Sequence, residues 1–302
     1  MRAVHVPAFA KVNLRLELLG RRPDGYHELR TIFQTISLHD DIVFHAAPRL
    51  GIELAVRGNP ALEGEPIQSN LVHRAVDALR RELKIHSGVR IELVKRIPAG
   101  RGLGGGSSDA AAAFIGYLCF TGRALPAERL MEIAASLGAD VPFFLLGGRA
   151  LGVGRGNEIY PLPDIPRRAV LVVSPREISV PTADAYRWLR ARPLTLTKIA
   201  ADPTLWRFCA LCWSPQGGSL SNDFEAAVFR RHPRLAAIKR ALLRGGAMEA
   251  ALAGSGSAVF GLFQHPAQAR RAALGFSNDQ TFVCETLSRV RYRRALKFAR
   301  LS

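Results

Sequence analysis

The sequence predicts an α+β fold in two units, and three observations carry that expectation. Period-two stretches dominate up to residue 58 and a helical period begins only after Asn70, so strands precede helices at the start of the chain. A length of 302 residues exceeds what one core commonly organises and suits two units of roughly 150 each. "YPLPDIPRR", residues 160–168, carries three prolines and has the character of a connection, which divides the chain into 1–162 and 163–302.

Residues 3–19 alternate as a strand, "RRPDGYH" turns the chain at Pro23, Asp24 and Gly25, and "ELRTIFQTISL" returns beside it. "DDIVFHAA" and "GIELAVRG" read as two further strands. After Asn70, Leu71, Ala75, Ala78, Leu79 and Leu83 mark one face of a helix. "VRIELVKRIP" restores period two and runs into "PAGRGLGGGSSDAA", residues 98–111. "SSDAAAAFIGYLCF" is then a helix with Ser107 or Ser108 as its N-cap and Asp109 near the positive end of its dipole. "PAERLMEIAASLG" is another, opening at Pro126 and ending at Gly138. In the second unit "AVLVVSP" is a buried strand and "TADAYRWLR" a helix. "SNDFEAAVFRRHPRLAAIKRALLR" is a helical pair broken at Pro233, and "AALAGSGSAVFGLF" is two strands around a tight glycine turn.

Hydrophobic residues at 48% and charged residues at 22% describe a folded globular chain, not a disordered one. His5, Lys11 and Arg15 interrupt any secretory run, and Ala110–Phe120 is too short to span a bilayer, so the expectation is a soluble, cytoplasmic protein without membrane partners. Cys119, Cys209, Cys212 and Cys284 are too few and scattered for a disulfide framework, and the C-x-x-C of "WRFCALCW" lacks the second half of a zinc site; buried apolar thiols are expected. The net charge of +17 comes almost wholly from arginine, spread along the chain without a nucleic-acid motif, which favours a solvated basic face and no nucleic-acid partner.

Residues 100–105 satisfy G-x-G-x-x-G, but a dinucleotide fold would continue into a second parallel strand where this chain turns into another helix. A Walker loop would place lysine where Gly106, Ser107 and Ser108 stand. A linker would lie at a domain junction, not between a strand and a helix cap. What remains is a nest of backbone N–H groups that glycine lets approach an anion, backed by a helix N-terminus. Elsewhere, Lys11 is a compact ammonium on an apolar strand in a chain that prefers guanidinium. Asp140 in "GADVPFF" is either a helix cap or a functional acid, and Tyr26 and His27 are hairpin packing or turn residues, or something more.

The loop "PAGRGLGGGSSDAA" resembles that of the galactokinase, homoserine kinase, mevalonate kinase and phosphomevalonate kinase (GHMP) superfamily. "PAFAKVNLRLELLGRRPDGYHEL", "LGADVPFFLLGGRALGVGRGNEI" and "LAGSGSAVFGLF" extend the resemblance in order along the chain, joined by "REISVPTADAY" and "SNDFE". The first of these singles out a branch whose small-molecule substrate is a diphosphocytidyl alcohol. The resemblance implies an N-terminal unit like the second domain of ribosomal protein S5, a ferredoxin-like C-terminal unit, and an active site between them. It implies an ATP-dependent kinase that works with Mg²⁺ as a monomer or weak homodimer. By the same resemblance Lys11 orients the acceptor hydroxyl and Asp140 is the catalytic base. Asn13, Tyr26 and His27 form the cytidine pocket, with Tyr186 sandwiching the base and Thr182 a polar contact. ATP lies on Pro98, Ala99, Gly100, Arg101, Gly102, Leu103, Gly104, Gly105, Gly106, Ser107 and Ser108, with Asn70 and Lys95 on the adenosine side. Gly254, Ser255 and Gly256 support the site from the second unit, and Asp140 and Ser107 are the nearest candidates to neighbour the metal.

Overall fold

Two long strands, β1 (Val4–Arg21) and β2 (His27–Ala46), form the spine of the N-terminal sheet in a computed structural model that describes residues 3–189 and 219–296. They pair antiparallel from Val4↔Phe44 to Arg21↔His27, with bulges between Phe9 and Lys11, Asn13 and Arg15, and Leu18 and Gly20. The two strands expected from "ELRTIFQTISL" and "DDIVFHAA" are thus one. The strand runs through Asp40 and Asp41 because Asp40 turns inward and accepts hydrogen bonds from the Arg96 and Ile97 amides.

β3 (Ile52–Arg57), a single turn α1 (Pro60–Glu63), α2 (Leu71–Glu82) and β4 (Val89–Val94) follow. Asn70 caps α2 by accepting from the Val72 amide at 2.9 Å, and Val72, Ala75, Val76 and Leu79 form its buried face. After the glycine loop, α3 (Gly105–Thr121) is apolar nearly all round, as befits a helix enclosed by its neighbours. Gly116 lets it press on the sheet: a Cβ there would sit 2.3 Å from the Phe44 ring.

α4 (Ala127–Leu137) runs from Pro126 to Gly138 as the sequence suggests, and α5 (Val141–Leu146) begins directly after Asp140. β5 (Arg149–Gly154) and β6 (Glu158–Pro161) add a hairpin to β2 through Leu29–Gln34.

The second sheet begins with the wholly buried β7 (Ala169–Ser174), followed by α6 (Thr182–Trp188). β8 (Ser221–Asn222) returns to pair parallel with β1 at the edge of the first sheet. α7 (Phe224–Arg231) and α8 (Pro233–Arg244) are the helical pair expected around Pro233, and β9 (Glu249–Leu252) with β10 (Val259–Phe263) is the expected glycine-turn hairpin. α9 (Pro266–Ala273) and β11 (Gln280–Glu285) complete the order β11-β7-β10-β9, all antiparallel, which is the ferredoxin-like arrangement. α10 (Arg289–Ala295) then returns to the first unit, where Tyr292 packs on Phe9 and donates to the Phe144 carbonyl. Cys119 and Cys284 form no disulfide, while Cys209 and Cys212 lie outside the described residues. Among the described residues no helix is long and apolar enough to cross a membrane.

The layers explain which side chains reach the site. Ala10, Val12 and Leu14 of β1 join Val170, Val172 and Phe260 in a core between the two sheets. Strand alternation therefore sends Lys11 and Asn13 to the opposite face, toward α3 and the glycine loop.

Candidate active site

Lys11 is only 4% exposed, so its ammonium needs partners to remain charged there. Its Nζ donates to Asn13 Oδ1 at 2.8 Å, stands 3.4 Å from Asp140 Oδ2 and lies 5.3 Å from the centroid of the Phe33 ring. Asn13 is fixed in turn because its Nδ2 donates to Thr31 Oγ1 at 2.7 Å. Asp140 occupies the N-cap position of α5, yet its side chain makes no capping hydrogen bond. The cap alternative is thereby set aside, and a carboxylate 32% exposed at its side chain faces the cleft beside Lys11.

The glycine loop crosses directly over these groups. The Lys11 amide donates to the Leu103 carbonyl at 3.0 Å, so β1 holds the loop by its backbone. A Cβ on Gly104 would meet the Phe144 ring at 2.8 Å and Lys11 Cγ at 3.1 Å, and one on Gly102 would lie 1.8 Å from the Ala253 carbonyl oxygen. Both residues have positive φ, +72° and +77°, which glycine alone adopts without strain. The loop touches the β9–β10 turn as well: a Cβ on Gly254 would stand 2.9 Å from the Gly102 carbonyl oxygen and 3.4 Å from Lys11 Nζ. Asn222 holds that turn by donating to the Leu252 and Gly254 carbonyls at 2.8 and 2.7 Å.

The N-cap of α3 is Gly104, not Ser107 or Ser108. The left-handed glycine starts the helix earlier and puts both serines in its first turn. Ser107 lines the cleft, but Ser108 is 1% exposed and outside its lining, with its hydroxyl donating to the Phe9 carbonyl at 2.6 Å and its amide to Gly104. Ser108 therefore has no donor left for a phosphate.

Lys95 and Asn70 also line the cleft, and Lys95 Nζ would stand 3.4 Å from a Cβ on Gly105. Lys95 is engaged by two buried carboxylates, Asp40 and Asp109, the latter 2.5 Å from its Nζ. Burial, partly offset by Lys95, pushes the Asp109 carboxyl up to about 8. Asp109 thus belongs to a buried ionic cluster and is not simply a residue near a helix dipole. The sequence hinted at neither partner; the doubled aspartate in a strand was the available signal.

Also in the cleft lining, His27 stacks on Tyr186 with ring centroids 4.6 Å apart and an interplanar angle of 27°. Burial and the charge of Arg21 lower the His27 pKa below its ordinary 6.5, so the ring is neutral at neutral pH. Burial, with a contribution from the Asp140 charge, pushes the Tyr186 hydroxyl up to about 12. Tyr26 is exposed, and the Arg155 guanidinium lies 3.9 Å over its ring, also bonding Asp24 Oδ2 at 2.8 Å. Since His27 already covers Tyr186, the expected aromatic sandwich is not open between these two rings. Thr182 Oγ1 is 3.1 Å from Ser255 Oγ.

All the expected residues except Ser108 and Gly256 line one cleft of about 1510 Å³. That exceeds the ~300–1,000 Å³ of a typical single-ligand pocket and has room for two ligands end to end. Among the described residues no group of three His, Cys, Asp or Glu forms a cation site. The acidic and hydroxyl groups near the loop are instead Asp140 and Ser107, whose Oγ would lie 3.7 Å from a Cβ on Gly138. Such a sparse donor set fits Mg²⁺, which retains waters and phosphate oxygens.

Residues 70–148 match the family described as GHMP kinases N terminal domain, and residues 210–279 match GHMP kinases C terminal. The chain is 47% identical over 298 residues to a 4-diphosphocytidyl-2-C-methyl-D-erythritol kinase of Solibacter usitatus, covering 97% of this chain and 91% of that protein. It is 41% identical to the Moorella thermoacetica protein of the same name, over 95% of this chain and 100% of that one. A crystal structure of 4-(cytidine 5'-diphospho)-2C-methyl-D-erythritol kinase superposes with a TM-score of 0.74 at 36% identity, covering 93% of this chain and 98% of that one. Homoserine kinase from Cytophaga hutchinsonii shares the fold, with a TM-score of 0.71 at 18% identity over 95% of each chain.

Proposed function

Because the chain belongs to the 4-diphosphocytidyl-2-C-methyl-D-erythritol kinase family of GHMP kinases, we propose that its cleft moves the γ-phosphoryl group of ATP to the 2-hydroxyl of 4-diphosphocytidyl-2-C-methyl-D-erythritol, a step toward isoprenoid precursors. The observation that carries the mechanism is the Lys11–Asp140 pair, 3.4 Å apart beneath the glycine loop with Asp140 free of any capping bond. In this reading the acceptor hydroxyl lies between them. Asp140 accepts its proton, the hydroxyl oxygen forms the new bond to the γ-phosphorus, and the bond to the β-phosphate oxygen breaks to release ADP. Lys11, held by Asn13, orients the hydroxyl and offsets the negative charge that gathers on the transferring group.

The triphosphate rests on backbone N–H groups of residues 99–107, with adenosine toward Asn70 and the Lys95 cluster. Mg²⁺ beside Asp140 and Ser107 would neutralise charge between the β- and γ-phosphates. For the cytidine, the neutral His27 ring, held by its stack on Tyr186, offers one donor and one acceptor to a base edge, and Tyr26 offers a stacking face. In this reading the N-terminal unit, residues 1–162 joined by β8 and α10, binds ATP and carries the chemistry, and the second unit closes the cleft through Thr182, Tyr186 and the β9–β10 turn.

ADP release followed with the diphosphocytidyl substrate, mevalonate and homoserine in parallel tests the reading. Turnover is expected with the first alone, and turnover only with either of the others would refute it. Asp140→Asn and Lys11→Ala should each lower kcat by about 10²–10⁴-fold with the fold intact. Near wild-type rates in both would remove these residues from the chemistry.

A further inference from the structure

Arg101 is the cation contributed by the glycine loop itself, and its surroundings are unusual for a charged group. Gly100 and Gly102 flank it with φ of +66° and +77°, and its carbonyl accepts from the Ala258 amide at 3.3 Å, so the backbone that carries it is held from both units. Its side chain crosses to the second unit, where one terminal nitrogen donates to Ser257 Oγ at 2.7 Å and the other to the Arg176 carbonyl at 3.2 Å. Both acceptors are neutral. Among the described residues no carboxylate pairs with this guanidinium, although it is partly buried and burial lowers its pKa. Two of its five N–H donors are used, and the residue lines the cleft with Lys11 and Asp140.

A desolvated guanidinium without a counter-charge gains most from an anion, and its planar fork matches phosphate oxygens. The bonds to Ser257 and Arg176 hold that fork in place before any ligand arrives. We propose that Arg101 is a phosphoryl-binding side chain, tethered by the second unit and directed at a phosphate bound in the cleft. This rests on the reading of the cleft as holding two phosphorylated ligands, and it adds a side-chain charge to a loop otherwise read as a backbone cradle. The phosphate belongs either to ATP or to the diphosphate of the acceptor.

Titrations of ADP against adenosine, and of CDP against cytidine, on the wild type, Arg101→Gln and Arg101→Lys separate the sources. Arg101→Gln is expected to weaken one of the two diphosphates by about 10- to 100-fold while leaving its nucleoside unchanged, with partial recovery in Arg101→Lys. Loss in the ADP arm assigns the contact to ATP, and loss in the CDP arm to the acceptor. Unchanged affinity for both diphosphates, or equal weakening of nucleoside and diphosphate, would overturn the proposal while leaving the kinase reading in place. A wild type that binds neither diphosphate would overturn both.

Discussion

Replacing Asp109 by asparagine isolates the less supported carboxyl of the buried cluster behind the glycine loop. Lys95 Nζ contacts Asp40 and Asp109, and the three side chains are 3%, 0% and 5% exposed. Asp40 also accepts from the Ile97 amide at 2.8 Å, whereas Asp109 Oδ1 has no hydrogen-bond partner. Burial, only partly offset by Lys95, moves the Asp109 carboxyl from an ordinary 3.8 to about 8. Between those values the folded protein keeps a proton that the unfolded chain has lost, so stability falls as pH rises through the window. The full slope is about 1.4 kcal/mol per pH unit, which gives a loss of about 2 kcal/mol between pH 6 and 8. Asparagine has the shape of the protonated acid and keeps an acceptor for Lys95. The variant should therefore stay within about 1 kcal/mol of the wild type at pH 6 and lack this contribution to the slope. Urea unfolding of both proteins at pH 6, 7 and 8 measures it. His27 and His73, whose pKa values burial lowers, titrate alike in both and cancel in the difference. Parallel stability curves for the two proteins would refute the reasoning.

Gly102→Ala places a Cβ 1.8 Å from the Ala253 carbonyl oxygen at a φ of +77°, so the loop must shift; thermal melts should drop and ADP titrations weaken, and unchanged ADP binding would contradict the close approach. Ser108→Ala should cost about 1 kcal/mol of stability, because the Phe9 carbonyl loses its hydroxyl partner, with no change in KM for ATP. Ser107→Ala should do the reverse and raise the KM for ATP, so similar KM values for the two serine variants would be inconsistent with the loop geometry. Tyr186→Ala should raise the KM for the diphosphocytidyl substrate by about 10-fold and spare that for ATP, while Tyr186→Phe retains stacking. A KM for ATP that moves with Tyr186→Ala would point to a general collapse of the cleft.

Much of the site is legible because its residues sit in short stretches with local meaning. A glycine run between a strand and a helix indicates an anion cradle, and a lysine in an arginine-rich chain invites attention. The β5–β6 hairpin was not legible: Gly152, Gly154 and Gly156 blur its alternation, and β5 forms by pairing with Leu29–Gln34 more than a hundred residues earlier. That β2 runs unbroken through Asp40 was not legible, because the partners that take up its buried charge lie at residues 95–97. The start of α3 was misplaced because serine is a good cap by type, while the left-handed Gly104 decided the matter by conformation.

By itself the sequence determined the two-unit α+β plan, the hairpin, the glycine loop and the candidacy of Lys11 and Asp140. Periodicity, turn chemistry and motif spacing act within a few residues and are written there. Only the tertiary structure decided that Asp140 leaves its cap role free, that Ser108 faces Phe9, that Lys95 is committed to Asp40 and Asp109, and that Arg101 reaches Ser257. Charge compensation and close backbone approach depend on atoms that lie far apart along the chain and become neighbours only when the two sheets pack.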